Sequence, residues 1–162
     1  SSLFLPSLVE PLLMLSQKSF WSGLMRTQLE SRLETLRTEL RQLDESKGSA
    51  TKSSAGDKHE TGRAMMEQEL VRIQAQIEAA RKQLNELQQM PLTDSSEAAF
   101  GAAVRTKNGI YFLSVPLGRV QGTEEALFAI SAGSPLGQLL LGKMAGASVS
   151  FRGNLFEILE VL

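Results

Sequence analysis

Leu29-Glu30-Ser31-Arg32-Leu33-Glu34-Thr35-Leu36-Arg37-Thr38-Glu39-Leu40-Arg41-Gln42-Leu43 decides the fold. Its leucines step by four, three, four and three, with charged or polar residues between them. That spacing is the seam of a helix that packs along another helix. A matching seam, Met66, Leu70, Ile73, Ile77, Ala80, Leu84 and Leu87, follows downstream with the same alternation of fours and threes. Between the two lies Asp44 to Thr61, rich in Ser, Gly, Lys and Thr and without a large apolar residue. Such a stretch is too short and too polar to be a domain, so it reads as the turn of a hairpin. A short connection makes neighbouring helices antiparallel, and residues 24–90 are therefore expected to form an antiparallel coiled coil with a polar tip at 44–61. At about 1.5 Å per residue, Leu24 to Leu43 alone extends about 30 Å.

The rest of the composition narrows the chemistry. In 162 residues, 17 basic side chains balance 18 acidic ones, so no net charge draws the chain toward nucleic acid or anionic lipid. With no cysteine, disulfides, iron–sulfur clusters, thiolate zinc sites and a cysteine nucleophile are excluded. The apolar start, Leu3 to Leu15, lacks a basic flank, is interrupted by Pro6, Glu10 and Pro11, and is shorter than the roughly 20 residues of a span. It reads as neither signal peptide nor membrane segment, and residues 1–23 are taken as an N-terminal leader without assigned function. No phosphate-binding loop, dinucleotide fingerprint or second histidine for a zinc or triad arrangement is present.

At the tip, Asp57 and Glu60 stand three positions apart, which puts both carboxylates on one face of any helix that includes them. Paired carboxylates suit a hard divalent cation. The same Asp-x-x-Glu pattern is also that of a helix N-cap with its capping box, so both readings stand at this point. His59, the only histidine, reads as a solvent-facing residue. Lys47, Lys52, Lys58 and Arg63 are the cations near the tip. They are either contacts for phosphates and carboxylates of a partner or members of a solvated loop. Along the rod Arg26, Arg32, Arg37, Arg41, Arg72 and Arg81 interleave with Glu30, Glu34, Glu39, Glu69 and Glu78, as on a salt-bridged exposed helix face.

Residues 91–162 change character. Ala102–Val104, Gly109–Val115, Ala126–Ile130, Ser148–Phe151 and Leu155–Val161 are short β-like runs separated by turn residues. Ser134 and Pro135 supply an N-cap and a first helical residue for a short helix to Leu141, closed by Gly142. Capping and turn geometry account for Gly133-Ser134-Pro135-Leu136-Gly137 without a bound phosphate. Phe112, Leu113, Phe128 and Leu136 are expected in the core. The fold class is thus α+β, a helical hairpin followed by a small sheet domain with one short helix.

Gly56-Asp57-Lys58-His59-Glu60, set between two coiled-coil helices, resembles the acidic tip of the bacterial Gre transcript cleavage factors. Phe100-Gly101-Ala102-Ala103-Val104 resembles the opening strand of the Gre C-terminal domain. Ile130-Ser131-Ala132-Gly133-Ser134-Pro135-Leu136-Gly137 with Leu141-Gly142-Lys143 resembles its serine-proline helix and the turn after it. After Glu60 the chain departs from the family's usual continuation and reads Thr61-Gly62-Arg63. The resemblance runs from about residue 24 to 162 and implies an FKBP-like C-terminal domain. It also implies insertion of the coiled coil into the secondary channel of bacterial RNA polymerase, in the cytoplasm, with no membrane partner.

On that resemblance the protein is not itself an enzyme but an activator of the polymerase's own cleavage of backtracked transcripts. Asp57 and Glu60 would be donated to the polymerase active centre, sharing a weakly held magnesium ion near the 3′ end of the nascent RNA. Lys52, Lys58 and Arg63 would contact polymerase or nucleic acid. A regulator that occupies the same channel without promoting cleavage is the alternative, and a coiled-coil dimeriser unrelated to transcription is a third. Because an intramolecular hairpin satisfies both seams, a monomer is expected.

Overall fold

The computed structural model describes residues 6–51 and 56–162, with side chains described for 17–48 and 60–162. The protein is α+β: two long helices that pack together, then a small mixed sheet and one short helix. Helix α1 spans Pro6–Thr51 and α2 spans Gly56–Gln89. The chain divides into two compact units. One is the helical pair Thr27–Asn85; the other combines the residues up to Arg26 with Glu86–Leu162. Among the described residues no helix is long and apolar enough to cross a membrane.

In the helical unit, Leu33 and Leu36 of α1 pack with Ile73, Ile77 and Ala80 of α2, flanked by Leu40, Leu43 and Leu84. The direction of pairing is antiparallel. Arg37 and Leu40 share a groove with Ile77 and Arg81, whereas Leu43 and Ser46 share one with Glu69 and Ile73, so α2 recedes as α1 advances. On the outer face, Glu34 meets Arg41 at 3.8 Å and Glu78 meets Arg81 at 3.0 Å, and Glu69 pairs with Arg72. The Arg72 hydrogen bond holds the Glu69 carboxyl below the usual carboxylate range. Arg41, Arg72 and Arg81 thus pair with glutamates of their own helix, as the interleaving implies.

In the other unit, β1 (Ala103–Thr106), β2 (Gly109–Ser114), β3 (Gly118–Arg119), β4 (Leu127–Ser131) and β7 (Glu160–Val161) form one sheet in the order β3-β4-β2-β1-β7. Strands β2 and β4 run parallel, with Phe112 beside Ala129, and the remaining neighbours are antiparallel. Strands β5 (Ser148–Phe151) and β6 (Asn154–Glu157) form a separate hairpin. The expected run Leu155–Val161 is therefore two strands. Ile158 N–H still donates to Ala147 O, the residue before β5, and Leu159 N–H then donates to Arg105 O, which carries the chain over to β1. Phe112 and Leu113 are fully buried and Leu136 nearly so, as expected, while Phe128 is half-buried and stacks on Tyr111 at 5.3 Å.

Helix α3 spans Pro135–Leu140, with Ser134 as its N-cap and Pro135 in its first turn. The Ser134 hydroxyl donates to Ser131 O at 2.6 Å and accepts from Gly137 N–H at 3.1 Å. Leu136 and Leu140 then pack with Val104, Leu113, Val149, Phe156 and Ile158. Gly137 must be glycine because a Cβ there would lie 2.1 Å from Ser131 O and 2.9 Å from the Ser134 hydroxyl. The cap and the close approach are one device.

The structure extends helix α1 well upstream of the expected start at Leu24, and residues taken as leader supply core. Trp21 of the expected leader is buried, as is Met25 just past it, and the Trp21 ring meets Phe112 edge-on at 5.8 Å. Each such side chain contributes about 2–3 kcal/mol of burial. Lys18 is fully buried, and its ammonium donates to Thr93 O and Leu162 O, both at 3.0 Å. These bonds tie α1 to the segment after α2 and to the end of β7's strand segment. Burial lowers the Lys18 pKa, with the nearby Asp94 carboxylate acting in the opposite sense.

Two substitutions test this packing. Gly137→Ala is expected to cost about 1–3 kcal/mol in urea unfolding, because the added methyl overpacks the α3 cap. Lys18→Met keeps the buried stem but removes both donors, and is expected to cost about 1–2 kcal/mol at neutral pH. The unfolded chain holds the Lys18 proton more tightly than the folded one, so this residue's contribution to stability rises with pH toward the ordinary value of 10.5. Tyr111, whose hydroxyl is pushed up by burial, has the opposite slope. The difference between native and Lys18→Met unfolding curves isolates the lysine, and it is expected to widen as pH rises toward 10.5.

Candidate functional site

The candidate site lies where α1 gives way to α2. Asp44–Thr51 and Gly56–Thr61 were expected in the connection, but both are helical, which confines the link to the residues between Thr51 and Gly56. Ser and Gly residues lower helix propensity in this stretch, and tertiary contact overrides it. Leu43 still packs on the seam, and Lys47 reaches across to α2 to pair with Glu67 at 3.5 Å. Lys52 lies outside the described residues, as do the side chains of Asp57, Lys58 and His59.

With α2 beginning at Gly56, Asp57 and Glu60 both fall in its opening turns, three positions apart on one backbone face. The side chain of Asp57, on which the capping-box reading rests, lies outside the described residues. The positive end of the helix dipole favours carboxylates in those turns without any cap hydrogen bond. Glu60 is exposed, and among the described residues no cation is paired with it. Among the described residues no three His, Asp or Glu side chains gather closely enough to hold a metal ion.

Arg63, expected to face a partner, stays half exposed and also has a pairing within the chain. Its Nε lies 3.4 Å from Glu67 Oε1, the same oxygen that Lys47 approaches from α1. Glu67 is thus shared by two cations, one from each helix. The sequence reading did not single it out, although Arg63 and Glu67 stand at the four-residue helical spacing that marks such pairs. The opposite helix's Lys47 carries no comparable signal, since only the hairpin register brings it there.

All three of these side chains are partly exposed, at 28% for Lys47, 51% for Arg63 and 50% for Glu67. Water therefore weakens their attraction, and Glu67→Gln is expected to change hairpin stability by less than about 1 kcal/mol in thermal unfolding followed by circular dichroism.

No protein-family model matches the chain, and a search of curated proteins finds no match to it either.

Proposed function

We propose that this protein is a Gre-type elongation factor that inserts its helical hairpin into the secondary channel of RNA polymerase and promotes cleavage of backtracked transcripts. One observation carries the reading: the acidic pair Asp57 and Glu60 lies in the opening turns of α2, at the end of the antiparallel hairpin where the two helices are joined. A narrow rod with carboxylates at one end suits delivery of those carboxylates into a recessed catalytic centre. The order of the chain supports the same reading, with the hairpin followed by a small sheet unit whose α3 opens on Ser134-Pro135. On this reading that unit is the FKBP-like domain of the family.

The chemistry of the donor set fits a shared magnesium ion. Two carboxylates are hard oxygen ligands, and magnesium is commonly held by one or two carboxylates with water and phosphate oxygens completing its shell. When bound, the ion supplies charge stabilisation of the leaving oxygen and an activated water. Asp57 and Glu60 hold only part of such a shell, so the remaining ligands come from the polymerase and the transcript. Each carboxylate would supply an oxygen ligand to that ion, and neither would need to accept a proton. The isolated protein would accordingly bind magnesium weakly, and Lys52, Lys58 and Arg63 are the cations placed to meet phosphates or polymerase carboxylates.

The test is RNA cleavage in stalled, backtracked elongation complexes with magnesium, comparing the native protein with the double substitution Asp57→Asn, Glu60→Gln. The native protein is expected to shorten the transcript from its 3′ end at least about 100-fold faster than the double variant, the scale on which a positioned charge acts in a transition state, while both bind polymerase alike. Binding by both with cleavage by neither would replace this reading with that of a non-cleaving channel regulator.

A further inference from the structure

Resting on that reading, we propose that Glu67 is a positioning residue for the acidic pair, holding Arg63 away from Glu60. Arg63 stands within helical reach of two carboxylates, Glu60 three residues before it and Glu67 four residues after it. The helix dipole favours the first pairing, in which the acid precedes the base. The structure has the second, with Arg63 Nε at 3.4 Å from Glu67 Oε1.

Lys47 explains what Glu67 does there. Its ammonium lies 3.5 Å from the same carboxylate oxygen, so Lys47 and Arg63 are within about 7 Å of each other with one negative charge between them. Without that charge the two cations repel. Lys47 is the more enclosed of the two, at 28% exposure, while Arg63 is half exposed and long enough to turn along its helix. The nearest described carboxylate on the same face of α2 is then Glu60, which no described cation engages. An arginine on Glu60 offsets the charge that a cation ligand depends on. Glu67 therefore acts through Arg63, and the gain is a Glu60 carboxylate left free for magnesium.

Two readouts test this on the full-length protein. In samples with 13C-labelled glutamate carboxyl groups, Arg63→Gln is expected to move the Glu60 Cδ resonance several times further in a Glu67→Gln background than in the native one. An equal response in both backgrounds overturns the proposal. In backtracked elongation complexes, Glu67→Gln is expected to raise the magnesium concentration for half-maximal cleavage about two- to five-fold, the range open to an exposed ion pair, and to leave the rate at saturating magnesium unchanged. In the double variant Glu67→Gln, Arg63→Gln, that requirement is expected to equal the one for Arg63→Gln alone. A lowered maximal rate with an unchanged requirement, or a Glu67 effect that persists without Arg63, overturns it. If the native protein cleaves nothing, the elongation-factor reading fails, and the carboxyl resonances still decide where Arg63 pairs.

Discussion

Everything at the candidate site depends on the apolar seam between α1 and α2. Neither helix has a reason to persist alone in water over this length, since helices this polar are held chiefly by the face they bury. Leu33, Leu36, Leu40 and Leu43 bury that face on Ile73, Ile77, Ala80 and Leu84, and the link between Thr51 and Gly56 is too short for any arrangement but the antiparallel one. The seam fixes the register, the register brings Lys47 to Glu67, and Glu67 takes Arg63. A slip of α2 by one turn, about 5.4 Å, would separate Lys47 from Glu67 and leave Glu67 to Arg63 alone, since those two share one helix.

The seam was legible because a four-three alternation of large apolar residues has few other meanings. Upstream the alternation lapses, since Trp21, Met25, Leu29 and Leu33 step by four each time, and the apolar run before them had the composition of a leader. Lys18 concealed the packing further, because a lysine reads as surface unless its partners are known, and its acceptors at Thr93 and Leu162 lie 75 and 144 residues away. Cap chemistry was readable at Ser134 and Pro135, where the signal is local. It was not readable for β3, whose two residues Gly118 and Arg119 are a strand only through their pairing with Ala129 and Phe128. The break between β6 and β7 is of the same kind, set by which carbonyls Ile158 and Leu159 meet.

At the tip the helical spacing of the candidate residues was legible and the length of the connection was not. Asp57 and Glu60 are placed together by helical spacing alone, and α2 includes both. The length of the connection was overestimated because Ser, Gly and Thr resemble a loop, whereas the Leu43 packing and the Lys47–Glu67 pair extend helix through them. Arg63 gained a neighbour the sequence reading had not named. Its local sequence shows a cation near a tip, and the fold adds that Glu67 lies 3.4 Å from it. The donor set that remains is small, which is why the proposed chemistry is shared with a second protein.

The absence of cysteine allows the central claim, that this tip enters a catalytic centre, to be measured without background. Gly62 sits on α2 two residues past Glu60, and a side chain there meets nothing within 4 Å. A single Gly62→Cys substitution carrying a tethered iron chelate would mark with hydroxyl radicals whatever lies within reach of the tip in a backtracked elongation complex. The account predicts cuts at the RNA 3′ end and in the polymerase segments that hold its catalytic magnesium. Cuts confined to the outer surface of the polymerase, or no cuts while the protein remains bound, would contradict it.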